Sequence, residues 1–488
     1  MSIARFCLAS YAHQFIPIRL VARIRLQTTN PIRLAKKRPA VLRVNSCESL
    51  GGREQPAREG GAMKHVVIVG GGFAGLSCAR KLGESSEIHV TLIDKNNYQQ
   101  FQPLLYQVAS SILSPSNAAF ALRGVLRRHP NVDVKMAEVV SADLKTRTVK
   151  TSDGRSYEGD FLVLACGSQV NFFGTPGADK YAYPLYSLRD AELLRSRILM
   201  LLESADRNPS LAGQGALTIV VVGAGPTGAE TAGALGDLKR TVLPEVYRDL
   251  DVSKIRIVLV DIVASVLNAF SQKSRVYATR TLQERGVELL LGVGVKEVHS
   301  DHVLLSNGDK ILTRTTIWAG GLKAASLSGA VGVQTGRGGR IDVQPDFSVK
   351  GFEGVYALGD FANIAGSDGQ SLPQLASVAQ QAGKYCAGAI LTTISGKSQK
   401  PFRYLDKGIM AMIGRNAAVA EVGRGRHEVK GTVAFLAWLG VHAMLLDTTR
   451  AKIEAIFEWA REYFHLEYSS PILDQPEQAA VNLTESES

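Results

Sequence analysis

None of the five cysteines of this 488-residue chain (Cys7, Cys47, Cys78, Cys166 and Cys386) forms a CxxC pair. The odd count and wide spacing exclude a Cys-based metal site and a disulfide framework, and point to reduced, mostly buried thiols. A membrane-crossing run is missing too. The apolar stretch VAFLAWLGVHAMLL, from Val433 to Leu446, has 14 residues. As a helix it would reach roughly 21 Å, short of the ~30 Å hydrocarbon core, so it does not span. Asp and Glu are absent before Glu48, whereas Arg recurs from Arg5 to Arg43. Residues 1–62 carry eleven Lys or Arg and three Glu, a net of +8 out of the chain's +11. The remaining body is close to neutral, which leaves nucleic-acid binding without support. This leader reads either as a mitochondrial-type targeting segment or as an extension upstream of a start at Met63. Solenoid repeats are absent, and 45% hydrophobic with 21% charged residues describes an ordinary globular protein of two or three domains.

What is present is a duplicated glycine fingerprint. HVVIVGGGFAG places Gly70, Gly72 and Gly75 after a β-branched run, and TIVVVGAGPTG does the same with Gly223, Gly225 and Gly228. Strand, glycine turn and helix in that order make a dinucleotide fold, with pyrophosphate at a helix N-terminus. Each copy is followed by an apolar run ending in an acid, Asp94 in VTLID and Asp261 in IRIVLVD. These carboxylates are placed for adenosine ribose hydroxyls. Asp261 repels a 2′-phosphate, and the next ten residues, IVASVLNAFS, hold no Arg or Lys to receive one, so NADH is expected over NADPH. The stretch Thr231 to Lys254 sets Gly223 further from Asp261 than the usual ~20 residues. The fold class expected is α/β, with two Rossmann-like domains. Two such folds suggest a flavin in one and a nicotinamide in the other. A dithiol relay is excluded, because the helix after the first fingerprint carries Cys78 alone.

Further segments carry a resemblance. NNYQQFQPLLYQVASSILSP (Asn96 to Pro115), GAGPTGAE (Gly223 to Glu230), IWAGG (Ile317 to Gly321), YALGD (Tyr356 to Asp360) and DKGIMAMIGR (Asp406 to Arg415) are similar to the type II, non-proton-pumping NADH:quinone dehydrogenases. The resemblance runs from about Lys64 to Phe464. It implies a noncovalent FAD held by Gly70, Gly71, Gly72, Phe73, Ala74, Gly75, Asp94, Lys95, Gln107, Gly167, Asp360, Ala376, Ser377 and Lys407. NADH would lie on Gly223, Gly225, Gly228 and Asp261, with Glu230 as the catalytic glutamate near the nicotinamide. A carboxylate two residues past the third glycine is expected in the first helical turn, where an acid is also favoured by the helix dipole. The family's AQxAxQ segment reads here Ala376, Ser377, Val378, Ala379, Gln380, Gln381. With Ser377 in place of an amide, a quinone would lean on Gln381.

The resulting division is a leader (1–62), a discontinuous FAD domain (64–180 and 320–402), an NADH domain (181–319) and a C-terminal region (403–488). In that region Ile453, Ile456, Phe457, Ala460, Tyr463 and Phe464 fall on one helical stripe with Trp459 at its edge. The stripe is expected outside both nucleotide folds, as a monotopic membrane contact or a dimer surface. Glu454, Glu458 and Glu462 opposite it are not the basic face of a typical bilayer-binding helix. The expected activity is NADH oxidation with two-electron reduction of a membrane quinone. The expected setting is a homodimer on the cytoplasmic face of the cell inner membrane, or on the mitochondrial inner membrane. A soluble flavin reductase serving an iron-sulfur protein, or an NADH-responsive flavoprotein with an interaction role, stays open.

Overall fold

The computed structural model describes residues 63–463 apart from 367–368, 398–399 and 424, so the leader and Phe464 lie outside the described residues. The chain opens with β1 (Lys64–Val69), α1 (Phe73–Leu82) and β2 (Ile88–Asp94). A short helix α2 (Leu105–Ala109) follows, then β3 (Val132–Met136) and β4 (Phe161–Leu164). The second unit begins with β5 (Ala182–Pro184), the long helix α3 (Leu188–Arg207), β6 (Thr218–Val222) and α4 (Pro226–Asp237). Three more strands, β7 (Arg256–Asp261), β8 (Val287–Leu291) and β9 (Thr315–Trp318), complete its sheet. The chain then returns to the first sheet through β10 (Val355–Ala357), which pairs with β4.

Both sheets are parallel and five-stranded, in the orders β10-β4-β1-β2-β3 and β5-β9-β6-β7-β8. Near-continuous Val, Ile and Leu suit strands covered on both faces. Each fingerprint strand, β1 or β6, has its successor on one side and a later strand on the other. That reversal opens a crevice at the carboxyl ends, where ligands bind in such sheets. The stretch Thr231 to Lys254 turns out to be largely helical: α4 runs into a π-helical turn at Leu238–Val242 and a further turn at Leu243–Val246.

Helix α5 (Ala376–Ile394) lies on α1. The two touch at backbone distance, since a Cβ on Gly383 would sit 2.1 Å from the Ala74 carbonyl oxygen. An antiparallel meander, β11 (Gly408–Gly414), β12 (Ala417–Val422) and β13 (His427–Gly431), then packs on α4. There too a glycine makes room, Gly233 against the Ile413 carbonyl.

The chain continues into a helical hairpin, α6 (Thr432–Leu445) and α7 (Thr449–Tyr463). No helix among the described residues is long and apolar enough to cross a membrane. The hairpin departs from the single outer stripe expected of it. Ala451, Ala455, Trp459 and Tyr463 are buried in the same core as the second sheet, together with Phe435, Trp438 and Ala443 of α6. Ile453, Ile456 and Phe457 face outward with Val433, Leu436 and Met444. Tyr463 and Trp459 therefore belong to the inner face, and the hairpin is part of the fold rather than an appendage to it.

Candidate functional site

The first crevice is built by its glycines. Gly70 has φ 103°, and a Cβ there would lie 2.2 Å from the Ala165 carbonyl oxygen; one on Gly75 would lie 1.9 Å from the Gly70 carbonyl oxygen. A Cβ on Gly72 would meet nothing within 4 Å. Two glycines thus let strand and helix close on each other, while the middle one leaves the α1 N-terminus open. No side chain caps that terminus and its first turn has no acid, so its N–H groups are available to a phosphate. The second crevice repeats this arrangement. Gly223 (φ 101°) and Gly228 are crowded by the Ala319 and Gly223 carbonyls, and Gly225 is open.

The two acids are equivalent as well. Asp94 accepts from Gly71 N at 2.6 Å and Asn96 N at 2.7 Å; Asp261 accepts from Ala224 N at 2.5 Å and Val263 N at 2.7 Å. Each carboxylate ties its glycine turn to the next strand and keeps lone pairs for ribose hydroxyls. Burial raises the Asp94 carboxyl, against those backbone N–H groups. Lys95 is exposed beside it.

Asp360 enters the first crevice from the end of β10. Gly359, at φ 62°, would place a Cβ 3.2 Å from that of Ala74 and 3.5 Å from that of Ala379. Gly167 and Ser168 follow β4 into the same place, and Ser168 Oγ donates to Asp360 Oδ2 at 3.0 Å. Burial raises the Asp360 carboxyl, opposed by that hydroxyl and by Arg340. The residues Gly70 to Gly75, Asp94, Gly167 and Asp360 therefore converge, and the open glycine, uncapped helix and aimed carboxylate fit a dinucleotide such as FAD.

Four expected site residues are engaged differently. Glu230 is in the second turn of α4, buried, and accepts from Met412 N of β11 at 3.0 Å rather than capping the helix. Burial pushes its carboxyl from 4.5 up to about 8, although the Met412 N–H favours the anion. It borders a cleft with Tyr106, Asp237, Arg415 and Tyr463. Gln107 is fully buried, donating to Tyr106 Oη (2.9 Å) and accepting from Trp459 Nε1 (2.7 Å). Ser377 Oγ and Tyr404 Oη are hydrogen-bonded to each other at 2.9 Å. Gln381 binds the Leu405 backbone twice, at 3.1 and 3.0 Å. Ser377 and Gln381 begin α5 and together latch the segment that leads to the exposed Lys407.

Sequence comparison agrees with the geometry. Residues 64–383 match the pyridine nucleotide-disulphide oxidoreductase family. The type II NADH:quinone oxidoreductase NdhA of Mycobacterium tuberculosis is 36% identical over 83% of this chain and 88% of its own length. The chain belongs to the type II NADH:quinone oxidoreductases. A second member from M. tuberculosis, Ndh, is 34% identical over 83% of this chain and 89% of its own. The fold is that of NDH2 from Plasmodium falciparum, solved with NADH, at TM-score 0.75 and 19% identity over 82% of this chain and 98% of that one. The sequence does not mark Tyr186, Ser168, Met412 and Tyr404 as site residues, and Trp459 reads there only as the edge of a helical stripe. They contact the site from distant segments and no local spacing marks them.

Proposed function

We propose that this chain oxidises NADH and passes two electrons to a quinone, without pumping protons. The observation that carries this reading is the pair of matched crevices, each with an open middle glycine, an uncapped helix and a carboxylate on its turn, in a member of this family. FAD, when bound, supplies the relay between a hydride donor and a quinone. Gly70 to Gly75 with Asp94, Gly167 and Asp360 hold it; Gly223, Gly225, Gly228 and Asp261 hold NADH. Glu230, buried at the border of the cleft between α4 and β11, holds its proton at neutral pH. Purified protein reduced anaerobically by NADH should bleach its flavin absorbance and recover it on mixing with a quinone. Bleaching without recovery would remove the quinone and favour another acceptor.

The outer face of the hairpin supports peripheral attachment to a membrane. Val433, Leu436, Met444, Ile453, Ile456 and Phe457 are large apolar side chains left exposed among the described residues, all on this one hairpin. Contact through these residues would bring the molecule to lipid-dissolved quinone from the side where NADH is present, the cytoplasm or the matrix. Vesicle flotation tests it against a second copy covering the same face: binding to vesicles supports the membrane, and a concentration-dependent dimer without vesicle binding supports the copy.

A further inference from the structure

A hydrogen-bonded chain reaches the first crevice from the other nucleotide unit. Tyr186 Oη lies 2.7 Å from Ser168 Oγ, and Ser168 Oγ lies 3.0 Å from Asp360 Oδ2. The proton directions follow from chemistry. A carboxylate only accepts, so Ser168 gives its one hydroxyl proton to Asp360, and its oxygen must then accept from the Tyr186 phenol. Ser168 N donates back to Tyr186 Oη at 3.3 Å, closing a small ring of bonds. Burial and the Asp360 charge push the phenol's pKa up, so it remains a donor. Asp360 takes this hydrogen bond on Oδ2 alone, so Oδ1 keeps its lone pairs for a ligand, on a turn where Gly359 packs against Ala74 of the fingerprint helix.

Tyr186 is itself held from both units. Gln100 Nε2 donates to its carbonyl at 3.1 Å, Gln100 Oε1 accepts from Leu188 N at 3.1 Å, and Asp190 Oδ2 accepts from Tyr186 N at 3.2 Å. Asp190 also completes the capping box that starts α3. The phenol is therefore fixed by the start of the second unit, while its hydroxyl acts in the first.

We propose that Tyr186 is a positioning residue for the flavin, acting through Ser168 to aim Asp360 at the FAD. The inference rests on the flavoprotein reading. It predicts that Asp360 binds less well when the phenol proton is removed, because Ser168 can then turn its own proton elsewhere. The bonded chain also makes FAD retention sensitive to how the second unit is seated on the first.

The test measures release of FAD from the holoenzyme by the rise in flavin fluorescence. Tyr186→Phe should speed release about two- to tenfold, the range for one neutral hydrogen bond. Ser168→Ala should speed it at least as much, and Ser168→Thr, which keeps a hydroxyl, should restore much of the loss. The deciding variant is the double one. If Tyr186 acts through Ser168, adding Tyr186→Phe to Ser168→Ala has no further effect on release. Wild-type release from Tyr186→Phe, or effects that multiply in the double variant, would overturn the proposal and leave Tyr186 as packing. Wild-type protein that holds no FAD would instead overturn the flavoprotein reading from which it starts.

Discussion

Glu230 is a carboxyl whose charge depends on the fold. Its pKa of about 8 stands above the ordinary 4.5, so the folded chain keeps a proton that the unfolded chain has lost between those values. The stabilisation is complete below about 4.5 and disappears as pH rises through about 8. Glu230→Gln removes that dependence. Denaturant unfolding should find wild type losing stability relative to the variant between pH 5 and 9, on the order of a few kcal/mol at about 1.4 kcal/mol per unit. Parallel curves would place the group in water. The same neutral state means that Glu230→Gln should reduce its flavin with NADH at close to the wild-type rate at pH 6 and diverge above pH 8, as read by stopped flow. Asp261 gives a second residue-scale outcome. Asp261→Asn should raise the NADPH to NADH ratio of kcat/KM several-fold by removing a charge from the ribose site. It should also cost about 1–3 kcal/mol of stability, because an amide offers one acceptor where Ala224 N and Val263 N both need one. An unchanged ratio would mean that selection against the phosphate is made elsewhere.

The hairpin of α6 and α7 has a buried inner face and an exposed outer one, and the proposed membrane contact belongs to the outer face alone. Substituting Leu436, Ile453 and Phe457 by Ser should abolish vesicle flotation while NADH to ferricyanide turnover stays near wild type, since these side chains are more than half exposed. Trp459→Ala should behave in the opposite way. It removes a buried ring and the donor to Gln107, with a cost of about 3–5 kcal/mol in chemical denaturation. Truncation before Thr432 should accordingly lose folded protein, not merely membrane binding. Periodicity made the helices legible: the 14-residue apolar run is α6, and the charges between Ile453 and Tyr463 fall at helical spacing. What it could not sort was which apolar side faces in. The i, i+4 row Ala451, Ala455, Trp459 and Tyr463 faces the core, small residues at one end and aromatic at the other, while Ile453, Ile456 and Phe457 stay outside, a choice set by the core that receives the helix. The open stretch Thr231 to Lys254 was obscure for a related reason, since a π-helical turn keeps no simple period.

At the scale of the molecule, the two crevices were legible because each is written within one strand, turn and helix. The return of the chain to the first sheet was legible through YALGD, whose strand pairs with β4. The contacts that complete the sites were not, since Met412 meets Glu230 across 182 positions and Ser168 meets Asp360 across 192. Held as proposed by Gly70 to Gly75 and Asp360, FAD would bridge both segments of the first unit, so removing it should lower the melting temperature of the whole chain. At a free FAD concentration 100 times its Kd the ligand stabilises by about 2.7 kcal/mol. Thermal melts with and without added FAD should differ by a few degrees, and identical melts would place the flavin on a part that unfolds independently. The hairpin's two faces have one more consequence. Because the six outer side chains are exposed and lie outside the buried core, they can change at little cost to the fold. If these side chains meet lipid as proposed, a lineage that changes its lipids can rewrite this small patch and re-address the enzyme to a new surface, with the catalytic body carried along unaltered.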